Sequence, residues 1–356
     1  MGLFGLFWSF QQERRKGWGC LLATGLRPRH WLVGRTDVSR TVFITGVAGF
    51  IGSHTARALL AQGWTVVGID SEQSAPEMVS LRLASLRGQP GFHYTKASVC
   101  DRGVLANLFA AHSDIDVVLH LAARAGVRQS RLNPYAYIED NITGQVSLLE
   151  ACRSLPQLRH ILYASSSAVY GESATLPFAE AEAVGAQASF YATTKRMNEL
   201  TAQTYSHLYG FAHTGMRFFT VYGPQGRPDM ACYGFARAIH DGTPLTLWDA
   251  EGLARDFTYI DDVVEAILHL MKAPPKAGES RLFNIGYGQP RSVGDLVRCL
   301  ETSLQKKAII QKAPKPDEDV LRTWADTTAL QKTIPWAPKV PLEEGVKRFV
   351  QWFSTI

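Results

Sequence analysis

The sequence predicts an α/β protein built on a doubly wound parallel sheet, with a smaller lobe made from its C-terminal third. Short β-branched runs alternate with helical stretches from residue 41 to about 209. The runs are too apolar to present a wet face, so helices must cover the sheet on both sides. A glycine-spaced turn, "TGVAGFIGSH", stands between the first run and the first helical stretch.

Taken in order, "TVFITG" is followed by the helical "FIGSHTARALLAQG", and "TVVGID" by a helix near 76–87. "FHYTKAS" precedes a helix at 101–112, "DVVLHLAA" one at 134–154, and "HILYASS" one at 189–209. Past 213 the rhythm loosens. "GMRFFTVYG", "PLTLW", "RDFTYID" and "RLFNIG" read as strands separated by longer excursions, and "APKPDEDV" and "IPWAPKVP" as loops. Asp261 and Asp262 lead a helix, where acids suit the positive end of the dipole. The expected division is an extension at 1–40, a dinucleotide-type domain mainly within 41–225, and a C-terminal lobe mainly within 226–356 that returns some segments to the sheet.

The chain has 356 residues, 46% of them hydrophobic, enough for a full core. Its formal charge of +5 belongs to the first 40 residues, which hold seven Lys/Arg and two acids. A neutral body excludes a nucleic-acid surface from the expected functions. Five scattered cysteines without a C-x-x-C pair fit reduced thiols in a cytoplasmic protein, and the ten histidines show no metal spacing, so no metal is expected. The apolar runs "GLFGLFWSF" and "GWGCLLATGL" are too short to span a bilayer. The charges follow the first run, unlike a secretory signal, and Leu6 spoils an N-myristoylation pattern. Residues 1–40 are expected to be a poorly ordered extension. Membrane contact, if any, would be an interfacial anchor there.

Gly46, Gly49 and Gly52 let the turn adopt positive φ and let the backbone approach a pyrophosphate closely, and the helix that starts at Phe50 and Ile51 offers free N–H groups to it. Asp70 ends the second strand 18 residues after Gly52. An acid there accepts from both ribose hydroxyls of NAD and repels the 2′-phosphate of NADP. The alternative for Asp70 is a turn or cap residue. Tyr191 and Lys195 lie one helical turn apart. A free phenol has a pKa of ~10, and a neighbouring ammonium stabilises the phenolate, which makes the pair an acid/base unit. Ser166 ends the strand that should face it.

These segments resemble the extended short-chain dehydrogenase/reductase family of Rossmann-fold nucleotide-sugar enzymes, and within it the UDP-glucuronate 4-epimerases. The similar stretches are "TGVAGFIGSH", "HLAARAGVRQS", "NPYAYIEDNITG", "YASSSAVYG", "SFYATTKRMNELTAQTYSHLYG", "TGMRFFTVYGPQGRPDM", "RDFTYIDDVVEAI" and "WADTTALQK". The resemblance implies Ser166, Tyr191 and Lys195 as a catalytic triad. It implies Ser98, Val99, Leu121, Ala122 and Ala123 as further cofactor contacts, and Ser166, Ser167, Thr220, Arg227 and Arg255 as contacts of a UDP-sugar. The implied reaction inverts C4 through a 4-keto sugar with bound NAD, and the implied assembly is a homodimer through residues 134–154 and 189–209. Relatives that dehydrate or decarboxylate carry a glutamate two residues after the catalytic hydroxyl, dehydratases with an aspartate before it. Here those positions are Ser167 and Ala168, which favours epimerisation. UDP-glucuronate is the expected substrate. UDP-glucose or a UDP-N-acetylhexosamine is the alternative, followed by decarboxylation and by a non-catalytic nucleotide-sugar sensor. Departures from the family pattern are Ala168 for a serine, Arg124 for a glutamine, Ser98 for an aspartate, and an altered loop at 316–319. His54 and His120 are expected to be packed or hydrogen-bonded.

Overall fold

In β1 (Thr41–Thr45) every residue is buried, and successive side chains enter opposite cores: Val42 and Ile44 one, Phe43 the other. β1 lies inside a seven-stranded parallel sheet, and burial on both faces is the reason its inner strands β1, β2, β4 and β5 read as apolar runs. The structure, a computed structural model, describes residues 40–356 apart from 172–174, 183 and 317–318. The expectations for residues 1–39, and for the centre of the 316–319 loop, lie outside the described residues.

The chain runs α1 (Phe50–Leu60), β2 (Thr65–Asp70), α2 (Pro76–Ala84), β3 (Phe92–Lys96), α3 (Arg102–Ala111) and β4 (Val117–His120). Next come α4 (Val127–Leu132), α5 (Pro134–Tyr137), a π-helical turn (Ile138–Thr143) and α6 (Gly144–Cys152). β5 (His160–Ser166), a 3-10 turn (Ser167–Tyr170), α7 (Phe190–Tyr209) and β6 (His213–Phe218) follow. The C-terminal part holds β7 (Thr220–Tyr222), α8 (Ala231–Asp241), β8 (Pro244–Trp248), β9 (Ala254–Arg255), β10 (Phe257–Tyr259) and α9 (Ile260–Met271). It closes with β11 (Ser280–Ile285), β12 (Arg291–Ser292), α10 (Val293–Leu304), β13 (Ile309–Ala313), α11 (Thr328–Thr333) and α12 (Leu342–Phe353).

The main sheet has the order β11-β6-β5-β4-β1-β2-β3. The order reverses between β1 and β4, so a crevice opens at their carboxyl ends, where ligands of such sheets bind. One core holds Leu105, Phe109, Leu148 and Cys152 from α3 and α6; the other holds Leu59, Ile267 and Leu270 from α1 and α9. Small paired strands, β7 with β10, β8 with β13 and β9 with β12, build the region beyond the crevice.

Two segments differ from the sequence reading. The predicted helix at 134–154 is broken by the π-helical turn. Asn141 there turns inward and binds Arg124 N–H (2.7 Å), Arg124 C=O (3.0 Å) and Thr194 Oγ1 (2.9 Å). "GMRFFTVYG" is two strands. Phe219 N–H bonds Ile285 C=O and Thr220 N–H bonds Asp256 C=O, so the chain leaves the main sheet and pairs β7 with β10.

Candidate active site

Three segments meet at the crevice: the glycine turn after β1, the serine-bearing end of β5, and the first turns of α7. Gly46 has φ +72°, and a Cβ on it would lie 2.7 Å from Ala122 N. A Cβ on Gly52 would lie 2.1 Å from Gly46 O. The glycines are therefore required first by the packing of the turn on itself and on the β4 loop. α1 begins with Gly49 as N-cap, with no side-chain cap and no acid in its first turn. The N–H groups of Phe50 and Ile51 are left to an anion.

Asp70 accepts Ala48 N–H (3.1 Å) and Glu72 N–H (2.8 Å). Burial raises its pKa and these bonds oppose the rise. It is thus a turn residue as well as an acid at the crevice. Ser98 Oγ accepts Cys100 N–H at 3.1 Å, and Val99 is buried against Gly144. β4 ends at His120, so Leu121, Ala122 and Ala123 form the loop above it. Leu121 N–H bonds Thr45 C=O and Ala122 N–H bonds Thr45 Oγ1, each at 3.1 Å. The residues present fit a dinucleotide: an uncapped helix start, a turn without side chains, and an acid at the end of β2. His120 is buried against Thr45 Oγ1 (2.7 Å) and burial lowers its pKa to about 3. His54 is lowered to about 3, chiefly by burial, and bonds Pro224 C=O (3.0 Å).

Ser165 and Ser166 point to opposite sides of β5. Ser165 donates to Glu199 Oε1 at 2.7 Å inside the core. Ser166 Oγ accepts Ala168 N–H at 3.2 Å, capping the 3-10 turn that carries Ser167 and Ala168. α7 starts at a Ser189 cap, and its first turns carry Tyr191 and Lys195 on the face toward β5. Lys195 Nζ donates to Ala164 C=O at 2.9 Å and lies 6.0 Å from the centre of the Tyr191 ring. Burial pushes the Lys195 ammonium down to about 8, partly countered by Glu199. Burial raises the Tyr191 phenol, while the adjacent Ser166 hydroxyl and the Arg227 charge pull it back. Ser166 and Arg227 thus bear directly on the Tyr191 phenol, and Lys195 stands beside its ring.

Arg227 follows the turn Pro224–Gly226, in which Gln225 has φ +59°. Its guanidinium pairs with Asp229 (3.0 and 2.5 Å) and reaches Ala125 C=O at 3.4 Å. Arg82, not singled out from the sequence, clamps this turn. It is 3% exposed and donates to the carbonyls of Gln225 (2.7 Å), Gly226 (3.3 Å) and Ala48 (3.3 Å). Burial lowers it to about 10. One buried cation thus ties the glycine turn to the Arg227 turn.

Thr220 lies just past Phe218, the register partner of Ser166. Arg255 is not paired with Asp261 or Asp262. Its Nη1 donates to Ala254 C=O (2.9 Å) and Leu321 C=O (3.0 Å), and Nη2 faces Asp319 at 4.0 Å. Asp261 and Asp262 do lie in the first turn of α9, and Asp262 accepts Lys339 and Val340 N–H. The sequence reading also missed the Glu199–Arg217 pair. Arg217 donates to both Glu199 oxygens (2.8 and 2.9 Å), and neither residue is more than 1% exposed. Among the described residues no group of three metal-ligating side chains occurs, and no helix is long and apolar enough to cross a membrane.

The sequence from 42 to 286 matches the NAD dependent epimerase/dehydratase family. A probable UDP-glucuronate 4-epimerase of Rhizobium meliloti is 40% identical over 87% of this chain and 96% of its own length. Among solved structures, the UDP-glucuronic acid 4-epimerase of Bacillus cereus, in complex with UDP-glucuronic acid and NAD, superposes with TM-score 0.83. It is 31% identical, with coverage of 88% of this chain and 99% of that one. The UDP-glucose 4-epimerase of Thermotoga maritima, with UDP-glucose, gives 0.81 at 28% identity, covering 88% and 99%. A turn built for a pyrophosphate, a Ser-Tyr-Lys cluster beside it, and these likenesses have one common reading: the chain belongs to the NAD dependent epimerase/dehydratase family.

Proposed function

We propose that the protein is an NAD-dependent epimerase that inverts C4 of a UDP-sugar through a transient 4-keto intermediate, and that the sugar is UDP-glucuronate, giving UDP-galacturonate. Arg227 carries the choice of sugar: its guanidinium reaches Ala125 C=O, which also accepts from Tyr137, whose ring packs edge-on against Tyr191. A planar cation at that point suits a C5 carboxylate. NAD, when bound, supplies the hydride acceptor and donor for C4. Tyr191 takes the proton from the 4-hydroxyl and returns it after the ketone has turned its other face. Lys195 stabilises the phenolate, and Ser166 orients the reacting oxygen. Arg227 holds the carboxylate out of alignment with the ketone, which restrains loss of CO₂. No carboxylate stands at Ser167 or Ala168 to work at C5. Thr220 and Ser167 complete the sugar end and Arg255 meets the diphosphate.

In this reading residues 41–225 mainly carry the cofactor and 226–356 mainly the nucleotide sugar. Leu132, Tyr135, Ile138, Met197, Leu200 and Leu208 are large apolar side chains exposed on α4, α5, the start of the π-helical turn and α7, with Tyr135 81% exposed. They support a homodimer through this face. Light scattering should give twice the chain mass, and Leu200→Glu should return a monomer; a wild-type monomer at working concentration refutes the assembly.

The deciding experiment incubates the protein separately with UDP-glucuronate, UDP-glucose and UDP-N-acetylglucosamine and identifies products by NMR. Turnover of a neutral sugar without turnover of the uronic acid overturns the substrate assignment.

A further inference from the structure

Arg124 leaves β4 four residues past its end, and its backbone is fixed by both hydrogen bonds to Asn141. Its guanidinium donates from Nε to Asp140 at 2.7 Å and from Nη2 to Gln73 Oε1 at 3.2 Å. Gln73 lies in the loop after β2, three residues beyond Asp70. β1 separates β4 from β2 in the sheet. A side-chain bond from the β4 loop to the β2 loop must therefore pass above whatever leaves β1. What leaves β1 is the glycine turn and the uncapped start of α1. Asp140 aims the guanidinium, Gln73 anchors its far end, and no described residue takes a hydrogen bond from Nη1.

The helix start offers donors to a pyrophosphate, and the Arg124–Gln73 bond joins the loops that follow the strands on either side of β1. We propose that Arg124 is a cofactor-holding residue whose guanidinium spans the mouth of the dinucleotide crevice and pairs with the pyrophosphate seated on α1. A bound dinucleotide then leaves only after the Arg124–Gln73 bond opens. The inference rests on the family's cofactor and not on the sugar, so its failure leaves the proposed epimerisation standing.

The test measures NAD release from the loaded protein into an excess of an NAD-consuming trap, at low and high salt. Arg124→Gln should release NAD roughly tenfold faster, as expected for loss of one charge-assisted contact to a phosphate. The wild-type rate should rise with salt and the variant's should not. Arg124→Lys should fall between them, and Gln73→Ala should accelerate release by a smaller factor. If Arg124 only fastens its loop to the π-helical turn, Arg124→Gln lowers the melting temperature of nucleotide-free protein and leaves release and its salt dependence unchanged. That result overturns the proposal. Should Arg124→Gln fail to fold, unchanged release from Gln73→Ala overturns it equally.

Discussion

Replacing Lys195 by methionine removes a buried charge and the electrostatic support of the proposed base together, and the two losses have opposite signs. Burial depresses Lys195 from 10.5 to about 8. That difference corresponds to ~3 kcal/mol of destabilisation at neutral pH. Below the folded value both states hold the proton and the penalty is complete. From about 8 to 10.5 the folded state sheds its proton first, and the penalty fades as the pH rises. Methionine fills nearly the same volume without the charge but forfeits the charge-assisted bond to Ala164 C=O, worth ~2 kcal/mol. Lys195→Met should therefore be more stable than wild type by about 1 kcal/mol at pH 7 and lose that advantage toward pH 10. Its turnover should fall by on the order of 10²–10⁴. Urea denaturation at both pH values, at equal cofactor concentration, reads the first effect and a product assay the second. A variant less stable at pH 7, or a stability difference identical at both pH values, refutes the reasoning.

Arg227→Ala should weaken binding of UDP-glucuronate roughly 10²-fold and release a decarboxylated pentose nucleotide, while binding of UDP-glucose changes little; unaltered uronic-acid affinity with no pentose product argues against the assigned role. Arg217→Ala leaves Glu199 buried with only Arg196 and Ser165. It should cost about 3 kcal/mol in urea unfolding, and the added change Glu199→Gln should recover much of it. Gly52→Ala drives a methyl to 2.1 Å from Gly46 O. The turn must shift at a cost of ~1–3 kcal/mol, and isothermal titration should show weakened NAD binding.

The parallel sheet was legible because its inner strands bury both faces, and the pattern of apolar runs records that directly. The glycine turn and the Tyr191–Lys195 pair were legible because their spacing is local, and Ser166 because it ends a strand. Residues that work across long separations were not. Arg82 reads as one more base on a helix until the turn at Gln225, 143 residues later, is folded against it. Glu199 looks like a surface acid on α7. Only β6 reveals that it meets Arg217. The break in residues 134–154 has no periodic signature, since Asn141 turns inward to satisfy a loop that lies elsewhere in the chain. Arg255 was expected at the substrate's diphosphate, and the backbone that positions it could not be read from its neighbours in sequence. Its backbone pairs it with β12, and its charge faces Asp319.

The place of β11 bears on how the chain is made. β6 ends at Phe218, but its outer neighbour is finished only at Ile285. At ~5–20 residues per second, a ribosome leaves the edge of β6 without its permanent partner for several seconds. During that interval the nascent cofactor half presents a row of unpaired backbone groups along a strand that the finished fold buries throughout, the kind of edge that recruits foreign strands. The window in which this protein is most exposed to aggregation is thus set by sequence order, and shortening it would require moving β11 earlier in the chain, as a circular permutation would.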